Sequence, residues 1–195
     1  MKLSKSLIAM IAAVVIIGGW AMSAYNGMVG VEEEATTALA NVQSAYQRRA
    51  DLIPNLVETV KGYASHEKET LEGVINARAK ATQVTIDPEN LTEEKLKEFQ
   101  AAQGELERAL GRLMVIQEQY PELKADKHFT DLQAQLEGTE NRINEKRLTF
   151  NKVVEKYNKT VRSFPKSILA GIFGFDRMSK FEATAAEQAT PEVQF

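Results

Sequence analysis

No charged residue lies between Lys5 and Glu32. Within that run, residues 7–17 read Leu-Ile-Ala-Met-Ile-Ala-Ala-Val-Val-Ile-Ile. About 20 consecutive apolar residues give a helix that crosses the hydrocarbon core of a bilayer. The run predicts that residues 1–31 form a short stub and a transmembrane anchor held in membrane lipid, with Leu7, Ile11, Val15 and Trp20 as anchor residues. Lys2 and Lys5 precede the run and Glu32, Glu33 and Glu34 follow it. Positive charge stays on the cytoplasmic side, so the expected topology is N-terminus in, with the rest of the chain outside. Trp20 and Tyr25 fall near the outer end, where amphipathic rings favour the headgroup layer. A cleaved signal is the competing reading, with Ala21-Met22-Ser23 as its cleavage site. The anchor is favoured because apolar character continues through Met28 and Val29 and helical patterning runs on into Glu32. Gly19, Ser23 and Gly27 have the spacing that lets spanning helices pack closely.

Charge over the whole chain is mixed and slightly acidic: 24 basic against 27 acidic residues, net −3. That argues against a nucleic-acid partner, which needs a basic face, and against a surface that hugs anionic lipid. With no cysteine there is no disulfide framework, thiolate metal site, thiol nucleophile or lipobox-like cysteine for lipidation.

Proline punctuates the rest of the chain. Pro88, Pro121 and Pro165 fall between long segments with apolar residues every three or four positions, the rhythm of one helix face. The first segment spans residues 32–81, with a stripe of Ala35, Leu39, Val42, Tyr46, Ile53, Leu56 and Val60. The second spans 91–119 and the third 127–162. Pro54 lies inside the first, where it removes a donor and presses on the carbonyl of Ala50, so a kink is expected there. No stretch alternates with period two, and short linkers imply antiparallel neighbours. The expected fold class is all-α: the transmembrane helix, then an elongated antiparallel bundle of three long helices over residues 32–181, then a disordered tail, 182–195. A four-helix variant, with the chain folding back at Pro54, is the alternative. In the three-helix arrangement the apolar stretch with Ile168, Leu169, Ile172, Phe173 and Phe175 ends far from the membrane. There it caps the bundle or serves self-association; with four helices it lies near the bilayer and inserts into its surface. Gly62, Gly73, Gly104, Gly111 and Gly138 fall inside helices and are candidates for close backbone approach.

No catalytic set assembles. His66-Glu67 begins a zinc-protease-like string, but Thr70 stands where the second histidine must be. His128 is the only other histidine, and Tyr63 and Ala125 occupy the positions where di-iron bundles carry glutamate. No cofactor and no metal are expected. Arg49 and Arg147 interrupt apolar stripes, either as a polar binding spot or as interhelical ion pairs, with Glu140 or Glu58 as partners.

The run from Arg48 to Ala64, Arg-Arg-Ala-Asp-Leu-Ile-Pro-Asn-Leu-Val-Glu-Thr-Val-Lys-Gly-Tyr-Ala, resembles the signature of the LemA family. His66-Glu67, Ala77-Arg78-Ala79, Tyr120-Pro121-Glu122-Leu123, Thr139-Glu140, Phe150-Asn151, Tyr157-Asn158, Phe164-Pro165 and Gly174-Phe175 extend the match. The resemblance implies a bacterial protein in the cytoplasmic (inner) membrane with an extracytoplasmic domain of long helices and no established enzymatic activity. It also implies that Arg49, Asp51, Pro54, Asn55 and Tyr63 form one structural or binding patch around the kink. The resulting expectation is a non-catalytic scaffold or adaptor that self-associates or recruits another envelope protein. The alternatives are a binding module for a peptide, lipid or cell-wall fragment and, last, a hydrolase.

Overall fold

The computed structural model describes residues 4–88 and 91–182; the tail from Ala183 lies outside the described residues. Among the described residues there are helices and no strands. Helix α1, Lys5–Tyr63, is capped by the Ser4 side chain, which accepts the Leu7 N–H, and continues unbroken through Pro54. At 1.5 Å per residue it is about 90 Å long. Helix α2 is Lys68–Gln83, α3 Glu93–Ile116, α4 Pro121–Ala125, α5 Lys127–Arg162 and α6 Lys166–Phe173.

The all-α bundle stands, but its helix count differs from expectation. The first periodic segment is two helices, and the reversal comes at residues 64–67 rather than at Pro54. Interior proline is tolerated when the carbonyl it frees finds another donor. Pro54 leaves the Ala50 carbonyl without its i+4 partner, and the Arg78 Nε–H of α2 donates to that carbonyl at 2.8 Å. The same bond docks α2 antiparallel on α1. Gln43 of α1 donates to the Ile86 carbonyl, three residues past the end of α2. The chain then climbs along α3 and turns through α4. It descends along α5, which runs the length of the bundle from Tyr63–Asp126 (2.8 Å) at the top to Glu32–Tyr157 at the base.

Three apolar clusters stack along this axis. The distal one gathers Ile53, Val60, Leu71, Val74, Leu106, Leu113 and Phe129. The middle one holds Leu39, Val42, Tyr46, Phe99, Phe150 and Phe181. The basal one joins Met28 and Val31 of α1 to Tyr157, Val161, Ala170 and Phe175. Because α5 descends, the 168–175 stretch ends at the base, beside Tyr25, and not at the distal end that a three-helix bundle requires. Leu169, Ala170 and Phe175 pack on the basal cluster, whereas Ile168, Ile172 and Phe173 are exposed. The N-terminal part of α1 is long and apolar enough to cross a membrane, and only 6% of that stretch is buried against protein. A Cβ built on Gly19, Gly27, Gly62, Gly73, Gly111 or Gly138 meets nothing within 4 Å, and on Gly104 only the Arg108 guanidinium at 3.8 Å. These glycines therefore mark no close helix contact among the described residues.

Candidate functional site

Asn144, Asn151 and Asn158 are spaced seven apart on α5, so they share one face of the helix. A carboxamide carries a donor and an acceptor side by side and can pair with a backbone amide as a neighbouring strand would. Asn158 donates to the Met178 carbonyl at 2.8 Å and accepts the Met178 N–H at 3.0 Å. Asn151 treats Phe181 identically, with both bonds 2.8 Å. The asparagines lie about 10.5 Å apart along the helix, and the residues they bond, Met178 and Phe181, are three apart in the returning chain. The Phe181 ring enters the middle cluster, 5.3 Å from Phe150 and 6.4 Å from Phe99. The Glu182 carbonyl then accepts from Arg147 at 2.7 Å and Gln100 at 3.1 Å.

A groove of about 290 Å³ between α3 and α5 shares Gln100 and Arg147 with this contact. Gln100, Gln103 and Glu107 line one wall, and Glu140, Asn144 and Arg147 the other. Tyr46 and Arg49, both buried, form its base. Arg49 is 1% exposed. Its guanidinium donates to Glu140 at 2.6 Å, to the Gln103 side-chain oxygen at 2.7 Å and to the Gln103 carbonyl at 3.3 Å, tying α1 to α3 and α5. Gln103 in turn donates to the Ala81 carbonyl of α2. Arg49 also lies 5.2 Å from the Tyr46 ring centre, and its Nε has no partner among the described residues. Burial raises the Tyr46 hydroxyl above its ordinary pKa, against the opposing pull of Arg147 and Arg49.

The structure brings Arg49 and Arg147 together on this groove and disperses the rest of the expected patch. Asp51, Pro54 and Asn55 are exposed; Asp51 accepts from Gln47. Glu58, the other candidate partner for Arg49, pairs with Lys61 instead. Tyr63 is about 20 Å along α1 from Arg49 and donates to Asp126, the residue that caps α5 by accepting the Phe129 N–H. That N–H, and then the Tyr63 hydroxyl, hold the Asp126 carboxyl below the usual range, while Asp126 raises the Tyr63 hydroxyl. The reading of the sequence passed over Gln103, Arg78 as the partner of the freed carbonyl, and the asparagine ladder, whose seven-residue repeat is visible in the chain. His66 and His128 are exposed, and no group of three or more metal-ligating side chains occurs among the described residues.

Comparison with known proteins sets these features in a family. The sequence model of the LemA family matches residues 38–195. The chain is similar to magnetosome protein MamQ of Magnetospirillum gryphiswaldense, 29% identical over 87% of this chain and 70% of that protein. It is similar to magnetosome protein MamQ 2 of Paramagnetospirillum magneticum, 27% identical over 83% of this chain and 66% of that protein, just under two thirds of the latter's length. Protein LemA of Metamycoplasma hominis is 23% identical over 84% of this chain and 71% of its own.

Proposed function

The chain belongs to the LemA family, and on that footing we propose that it is a membrane-anchored, non-catalytic scaffold of the bacterial envelope. In this reading α1 crosses the cytoplasmic membrane with its N-terminus inside. The outer bundle recruits another envelope protein by clasping an extended segment of it in the groove at Arg49 and Arg147. The observation that carries the reading is the asparagine ladder. Two of its rungs already hold the returning segment at Met178 and Phe181 by the backbone, and the third, exposed Asn144, lines the groove one heptad further on. Recognition through backbone amides with alternate side chains in pockets is a known way for proteins to bind extended peptides. The neutral balance of two arginines and two glutamates in the groove suits a polar segment of low net charge.

A photoreactive residue at position 144, in the full chain in native membranes, tests this. The expected result is a discrete adduct absent when the photoreactive group is placed at Val115, on the far part of α3. Adducts identical at both positions, or none at 144, would refute the reading. Crosslinks to short peptides rather than to a protein would move it to a peptide-binding module.

A further inference from the structure

We propose that α6 is a second membrane contact: Ile168, Ile172 and Phe173 sink into the lipid surface beside α1, and a basic rim meets anionic headgroups. This rests on the reading of α1 as the anchor. Twenty residues separate Lys5 from Tyr25, about 30 Å of helix, which matches the thickness of the hydrocarbon core. Tyr25 therefore marks the level at which α1 leaves the lipid. At that level the Tyr25 ring packs edge-on against Phe173 (4.9 Å) and Phe175 (5.6 Å).

Helix α6 has one buried residue, Ala170, while Ile172 is 69% and Ile168 57% exposed. These two isoleucines, four apart, share a face, and Phe173 and Phe164 are exposed as well, the latter 83%. An apolar patch of this kind marks an interaction surface, and here it meets α1 through the Tyr25–Phe173 contact. Amphipathic helices lie about 5–10 Å into the headgroup boundary when apolar residues are flanked by Lys and Arg. The flank is present: Lys159, Arg162, Arg177 and Lys180 line one hollow of about 480 Å³, with Glu155 as its sole acid, and Lys166 opens α6. The acidic balance of the whole chain conceals this basic edge. A two-fold contact with a second copy would bring this basic edge against its like.

Tryptophan fluorescence of the full chain in phosphatidylcholine vesicles with brominated acyl chains, with or without phosphatidylglycerol, tests the proposal. Trp20 is the only native tryptophan, and its quenching reports the anchor. In a Trp20→Phe background, Ile172→Trp is compared with Val115→Trp, whose site is 63% exposed at the distal end. The expected result is that Ile172→Trp is blue-shifted and quenched most by bromines high on the chains, while Val115→Trp is neither. Quenching of Trp20 with an Ile172→Trp spectrum like that of Val115→Trp overturns the inference and leaves the anchor standing. A blue shift without quenching means a second copy covers the face and also overturns it. Failure to quench Trp20 overturns the anchor and the inference together. Phosphatidylglycerol should increase the quenching, and Arg162→Gln with Arg177→Gln should abolish that increase; an undiminished increase removes the headgroup contact.

Discussion

The Pro54–Ala50–Arg78 arrangement makes a quantitative prediction. Proline in a helix interior is about 3 kcal/mol less favourable than alanine, largely through the lost backbone bond and the clash with the preceding turn. Here the freed Ala50 carbonyl accepts from Arg78 at 2.8 Å, and a hydrogen bond from a charged donor contributes about 1.5–3 kcal/mol. Pro54→Ala restores the helical N–H and competes with Arg78 for that carbonyl. Its net gain should therefore be about 0–1.5 kcal/mol rather than the full proline penalty. Arg78→Ala in the native background leaves Ala50, which is 3% exposed, with an unpaired carbonyl and should destabilise by about 1.5–3 kcal/mol. In the Pro54→Ala background the carbonyl is satisfied, and the same change should remove only about 0.5–1 kcal/mol of neutral-bond and stem contact. The coupling between the two sites is then about 1–2 kcal/mol. Urea unfolding of the four proteins in detergent, followed by helical circular dichroism, measures it. An Arg78→Ala effect of equal size in both backgrounds would refute the reasoning, because the carbonyl would then accept both bonds at once.

Arg49→Ala should destabilise by about 3–5 kcal/mol: about 1–3 for the buried Gln103 oxygen left without a donor, about 1.6 for two lost methylenes, and under about 1 for Glu140, 42% exposed and able to rehydrate. Arg49→Met keeps the stem and should recover roughly half; thermal unfolding that finds both variants unchanged would show Arg49 to be no strut. Asn151→Leu should cost about 1–3 kcal/mol through its two bonds to Phe181 and speed both exchange of the Phe181 amide and tryptic cleavage at Lys180. Unaltered exchange would mean that Phe181 is held by its ring alone. The folded Asp126 pKa lies below its unfolded value, so its cap of α5 contributes at neutral pH. That contribution is lost on acidification below about pH 4, and Asp126→Asn should flatten the acid limb of the stability profile; an unchanged limb would place the acid sensitivity elsewhere.

Much of the architecture was legible because helix periodicity is a local property. The stripes through Leu39, Val42 and Tyr46 and through Phe150, Val154 and Tyr157 announce buried faces, and these side chains are buried. Arg49 stood out because a guanidinium in an apolar stripe must find partners, and Glu140 is one of them. What failed was the break in the first segment. Pro54 looks like the interruption because the chain shows the donor it lacks and not the arginine, many residues later, that replaces it. The true end, at Tyr63, coincides with the Tyr63–Asp126 bond and the burial of Ala64, which carry little local signal. That error moved the 168–175 stretch to the wrong end of the rod, since one additional reversal inverts the direction of every later helix.

By itself the sequence determined the all-α class, the apolar leader and the buried stripes, because each arises from residue order within a few turns of helix. Tertiary structure alone decided that four helices run antiparallel, that α6 returns to the level of Tyr25, and that Asn151 and Asn158 grip the backbone of Phe181 and Met178. Those outcomes depend on which distant group satisfies which exposed donor or carbonyl. Such pairings form only when the chain is folded; local periodicity shows at most that Asn144, Asn151 and Asn158 share a face, not what they bind.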